Sequence, residues 1–178
     1  RTPVATPGRE HWEEVVPHRT DVFLQGFEIF RDHLVVQERV DGLINLRILP
    51  WSGEGEHSID FGEPTYDAWT EENPDFDTTK LRFGYSSLTT PESIYEYDMA
   101  TRERTLLKRE EILGGFDPDD YVAQRIFAVA RDGVRVPISL VRRADSPEGP
   151  TPTLLYAYGS YGYSRDADFR SERLSLLD

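Results

Sequence analysis

The stretch that decides the fold is Ile44-Asn-Leu-Arg-Ile-Leu-Pro-Trp-Ser-Gly-Glu54, because fifty residues on the chain repeats its plan as Ile94-Tyr-Glu-Tyr-Asp-Met-Ala-Thr-Arg-Glu-Arg104. Each segment reads as a strand, a polar turn and the start of another strand. Each also follows a further strand at a similar interval, His33–Arg39 (HLVVQER) before the first and Leu81–Ser87 (LRFGYSS) before the second. A repeat of roughly 40 to 50 residues built of short strands is the mark of propeller blades. Two four-stranded blades account for about residues 10–108. Because a propeller closes with about 4 to 8 blades, two of them are expected to belong to something larger.

Three hairpins support that reading. Apolar residues flank Asp41-Gly42, a dipeptide that takes the positive φ values of a tight turn. A second hairpin turns at Ala100-Thr101-Arg102, with Tyr95, Tyr97 and Met99 alternating against Ile94, Glu96 and Asp98. A third turns at Asp132-Gly133 and sets Val134, Val136, Ile138 and Leu140 on one face. Between the second and third, Gly114-Gly115 and the cluster Asp117-Pro118-Asp119-Asp120 mark a boundary, so residues 1–108 read as blades and 109–123 as a hinge. Residues 124–178 read as the start of a different architecture. Thr151–Gly159 (TPTLLYAYG) is expected to be a buried strand of an α/β sheet, and Arg165–Asp178 a helix with Phe169, Arg173, Leu174 and Leu177 on one face. An α/β sheet needs several more strand and helix units, so the chain is expected to be incomplete there too.

Composition excludes several functions. The chain has 178 residues, 20 basic and 33 acidic, for a formal net charge of −13. With no basic face to meet phosphates, no nucleic-acid partner is expected, and a dispersed acidic surface serves solubility. No apolar run reaches the roughly 20 residues that span a bilayer, so no membrane association is expected. There are no cysteines, hence no disulfides or thiolate metal sites, which fits the cytoplasm. No metal or other cofactor is indicated: Pro74 and Pro118 place the acidic stretches 71–77 and 117–121 in turns, and no phosphate-binding Gly-Lys-Ser/Thr pattern is present.

The segment Tyr158-Gly159-Ser160-Tyr161-Gly162 comes close to the G-x-S-x-G turn of a hydrolase nucleophile. It fails at Tyr158, since the position two before the serine must be small for the sharp turn to form. No other serine has the flanking glycines. His11, His18, His33 and His57 all lie before residue 109, in the wrong order for a hydrolase triad, and read as surface or turn residues. The cluster Tyr156, Tyr158, Tyr161 and Tyr163 can be half-buried aromatics about a glycine turn, or it can carry chemistry.

The stretches Leu81–Met99, Ala130–Val141 and Leu154–Asp178 resemble, in order and spacing, the prolyl oligopeptidase family of serine peptidases, most of all its oligopeptidase B branch. The resemblance implies an enzyme in which a β-propeller caps an α/β-hydrolase domain and admits only short peptides, cut after Lys or Arg. This chain is similar to the last blades, the hinge and the first hydrolase strands. The nucleophile, the acid and the catalytic histidine fall later in such enzymes and outside this chain, which alone is expected to be inactive. The second tyrosine of the family's Y-x-Y-G motif donates to the oxyanion, and it matches Tyr158. Tyr161 falls where the family places an aromatic wall of the substrate pocket. The expected partners are short basic peptides and the remainder of the propeller and peptidase domain. The alternative is a propeller-type binding module with no chemistry of its own.

Overall fold

The computed structural model describes residues 1–178. Ten strands form three antiparallel sheets: β1 (Val22–Ile29), β2 (His33–Val40), β3 (Leu43–Pro50) and β4 (His57–Ser58); β5 (Tyr66–Thr70), β6 (Lys80–Ser87), β7 (Ser93–Asp98) and β8 (Arg104–Arg109); and the hairpin β9 (Tyr121–Val129) with β10 (Arg135–Arg143). The first two sheets are four-stranded meanders in chain order. The repeated segments thus take equivalent places in the two sheets, β3 matching β7 and β2 matching β6 in strand order. All three turns form as expected. Asp41 and Gly42 both have positive φ (49° and 83°), the two-residue turn whose twist matches its strands. Arg102 (67°) and Gly133 (86°) supply the left-handed residue of the other two.

Period-two patterning sets the core. On β3 the side chains of Ile44, Leu46 and Ile48 share one face, on β6 those of Leu81, Phe83 and Tyr85 do, and the two faces meet between the sheets. Tyr97 and Met99 of the β7 end, Ile59 and Phe61 of the loop after β4, and Phe30, Val35 and Ala68 complete it. Phe61 stacks on Tyr85 with ring centroids 5.2 Å apart. Burial of each large side chain contributes about 1.5 to 3 kcal/mol.

Most polar groups inside this framework are matched, the buried ring nitrogens His33 Nδ1 and His57 Nε2 excepted. Glu63 accepts from four hydroxyls: Tyr85 (2.8 Å), Ser87 (2.5 Å), Thr89 (3.0 Å) and Thr90 (2.6 Å). Burial of the Tyr85 phenol, and then the Glu63 charge beside it, hold its pKa far above the ordinary value. Glu38, 1% exposed on β2, receives Arg47 of β3 through Nη2 at 2.7 Å and Nε at 3.2 Å. Gly84 lies opposite Trp69, and the indole covers the space a side chain would need.

Three expectations are corrected. Residues 151–159 form no strand, because no neighbouring strand lies beside them to take up their backbone groups. The helix expected over 165–178 is confined to a 3-10 turn at Ser171–Arg173 and α1 (Leu174–Leu177), since residues 165–170 have no regular structure and are tied to the sheets by Asp166 and Phe169 instead. His33 is a strand residue only 7% exposed, not a surface one, and burial lowers its pKa. No helix is long and apolar enough to cross a membrane.

Candidate functional site

The tyrosine loop leaves β10 through the turn region 144–150 and crosses residues 151–163 without regular structure. Its one ordered turn is Ser160–Tyr163, closed by the Tyr163 N–H donating to the Ser160 carbonyl at 3.1 Å. Tyr161 (φ 57°) and Gly162 (φ 73°) occupy its central positions. A left-handed tyrosine is costly, and it projects the ring outward: Tyr161 is 91% exposed. Tyr158 is the least exposed tyrosine of the loop at 45%, and its hydroxyl makes no hydrogen bond within the chain. The guanidinium of Arg165 lies over both Tyr156 (4.9 Å to the ring centroid) and Tyr158 (5.8 Å). Ser160 has no basic partner. None of the four histidines hydrogen-bonds a serine, and the chain holds no catalytic triad.

Beyond the loop, the segment 165–170 is fastened to the sheets. Asp166 pairs with Arg39 of β2 through two hydrogen bonds, 2.5 and 3.1 Å. Ala167 is buried, and the Phe169 N–H donates to Ser86 Oγ of β6 at 2.9 Å. The Phe169 ring meets Phe116 edge-on at 4.8 Å. The β9–β10 hairpin is fastened alongside: the Thr65 and Ser139 hydroxyls hydrogen-bond each other, and Arg125 donates to the Asp41 carbonyl. Pro137 packs against Gly42, where an added Cβ would lie 3.3 Å from its ring.

Between this segment and β5 lies an open cleft of about 350 Å³ whose lining includes Asp67, Glu92, Glu110, Asp168 and Glu172, with Arg170 as its cation. Asp67 is pushed up to about 6, chiefly by burial and then by the neighbouring Asp166 charge. Sequence reading named Tyr158 and Tyr161, and the structure holds them on one loop. It missed Arg165, Asp166 and Arg39; Arg165 stands two residues past Tyr163 with an open charge, a signal within reach, while the 39–166 pairing spans 127 residues and leaves no local trace.

Two four-stranded meander sheets packed face to face, with the β9–β10 hairpin and the segment 165–170 docked on them, define a propeller-type scaffold. Residues 1–110 match the N-terminal β-propeller domain of prolyl oligopeptidase. The chain belongs to the prolyl oligopeptidase family of serine peptidases. It is 40% identical, over 99% of its length and 24% of the relative's, to dipeptidyl aminopeptidase BI of Pseudoxanthomonas mexicana. To protease 2 of Moraxella lacunata it is 31% identical over 92% of its length and 24% of the relative's. Among solved structures it superposes on oligopeptidase B of Trypanosoma brucei, closed form with covalently bound antipain, with a TM-score of 0.82 and 33% identity, covering 92% of this chain and 24% of that one. The chain therefore spans about a quarter of the length of these relatives.

Proposed function

We propose that this chain is the part of a serine oligopeptidase that supplies the oxyanion donor to a catalytic centre completed elsewhere in the polypeptide. In this reading residues 1–108 are propeller blades, 109–123 the hinge and 124–178 the start of an α/β-hydrolase domain. A serine hydroxyl gives its proton to the catalytic histidine, both lying outside this chain, as its oxygen attacks the scissile carbonyl carbon; the new C–O bond forms and the carbonyl π pair moves onto oxygen. Tyr158 O–H donates to that oxygen as its charge develops, and Tyr161 forms a wall of the pocket for the residue before the cut. The observation that carries this is the Tyr158 hydroxyl: on a ring 45% exposed, the least exposed tyrosine of its loop, it is a phenol donor with no partner within the chain.

Cleavage after Lys or Arg is the specificity we infer, supported by the likeness to protease 2 and to oligopeptidase B. The 40% identity to a dipeptidyl aminopeptidase favours a second reading, release of dipeptides from a free N-terminus. A matched pair of chromogenic peptides ending in Arg separates them. If the blocked peptide is cut at least as fast as the free dipeptide, the endopeptidase reading holds; strict dependence on a free amine overturns it. Stoichiometric labelling of the 178-residue chain by a fluorophosphonate would contradict both, since each places the nucleophile outside it.

A further inference from the structure

Tyr158 stands on a segment without backbone pairing, yet an oxyanion donor must hold its position to within about half an ångström. What holds it here is side-chain contact. Arg165 spans Tyr156 and Tyr158, and attraction between a guanidinium and an aromatic face reaches to about 6 Å. The Tyr156 contact, at 4.9 Å, lies well within that reach, whereas the Tyr158 contact, at 5.8 Å, lies at its edge. A small shift of the Arg165 backbone therefore releases Tyr158 first.

The adjacent residue prevents that shift. Asp166 is held in a two-pronged pair by Arg39, with side chains 16% (Arg39) and 26% (Asp166) exposed, so water and salt screen it less than a surface pair. Arg39 is itself fixed, because its Nη1 also donates to the Gly42 carbonyl of the β2–β3 turn at 2.9 Å. Burial of Ala167 and the Phe169 bond to Ser86 pin the following residues. We propose that Arg39, a residue of the first sheet, is a positioning residue for the Tyr158 hydroxyl, acting through Asp166 and Arg165. The catalytic purpose of this clamp rests on the oxyanion reading of Tyr158. The contact itself does not.

The test places 3-fluorotyrosine at position 158 of the 178-residue chain and follows its ¹⁹F resonance. Arg39→Ala and Asp166→Asn should each displace and broaden the signal, and the double variant should move it no further than the larger single change. Arg39→Lys, which keeps the charge and loses the fork, should restore part of the wild-type position. Arg31→Ala removes an exposed pair with Asp77 at the β1–β2 turn and should leave the signal unmoved. A resonance indifferent to both Arg39→Ala and Asp166→Asn overturns the proposal, as does an equal displacement by Arg31→Ala. If Arg39→Ala fails to fold, the near-isosteric Asp166→Asn decides alone. In a peptidase that includes these residues, Asp166→Asn should lower kcat roughly ten- to a hundredfold and leave KM unchanged. A resonance that moves beside a silent Tyr158→Phe overturns the oxyanion reading and the clamp's catalytic role with it; a fixed resonance beside a damaging Tyr158→Phe overturns the clamp alone.

Discussion

Arg47→Met should destabilise the chain far beyond what one surface ion pair contributes. Its partner Glu38 has a side chain 2% exposed, and Arg47 supplies the two shortest of its contacts, 2.7 and 3.2 Å. The change leaves a buried carboxylate facing only Arg19, 3.5 Å away with a side chain 41% exposed. Stranding one member of a buried pair costs about 3 to 5 kcal/mol, and the residual Arg19 contact argues for the lower end. With a urea slope of about 2 kcal/mol per molar, the midpoint should fall by about 1.5 M with the slope unchanged. The double variant Glu38→Leu with Arg47→Met should recover most of that loss, because apolar replacements of a buried pair are close to neutral. A double variant as unstable as Arg47→Met, or a single change costing under about 0.5 kcal/mol, would refute the reasoning. Position 38 adjoins Arg39, so Arg47→Met should also loosen the pair with Asp166.

Gly84→Ala should cost about 1 to 3 kcal/mol and shift tryptophan emission, because the new Cβ falls within the Trp69 indole that covers this position; unchanged emission and midpoint would contradict it. Asp67 gives a pH test. Its folded pKa, about 6, lies above the ordinary carboxylate value, so its stabilising contribution is full below that ordinary value and is lost as pH rises through about 6. Asp67→Asn should therefore raise the urea midpoint relative to wild type more at pH 7.5 than at pH 5, and an equal difference at both would dismiss it.

What the sequence disclosed was local. Asp41-Gly42 and the repeat from Ile44 to Ile94 could be read because turn chemistry and period are written in neighbouring residues. The first strand of each four-stranded sheet was harder. β1 carries a bulge between Leu24 and Gly26 that breaks its alternation, and β5 has only five residues. Thr151–Gly159 has the composition of a buried strand, but composition does not supply the partner a strand requires. His33 was misplaced because it opens β2, where the strand pairs with Pro50 of β3 and the ring is buried, and its neighbours in sequence do not disclose this. At the site, Tyr158 could be named from its motif, whereas Arg39 and Asp166 meet only once the chain is folded.

The most direct measurement is steady-state kinetics of Tyr158→Phe and Ser160→Ala in a peptidase that includes this chain, with the melting temperature of each recorded. Loss of one oxyanion donor lowers rate on the order of 10² to 10³-fold. Tyr158→Phe should therefore lose that much kcat with KM and melting temperature nearly unchanged, while Ser160→Ala should stay close to wild type. The opposite pattern, Ser160→Ala abolishing turnover beside a nearly silent Tyr158→Phe, would contradict the assignment and make Ser160 the nucleophile.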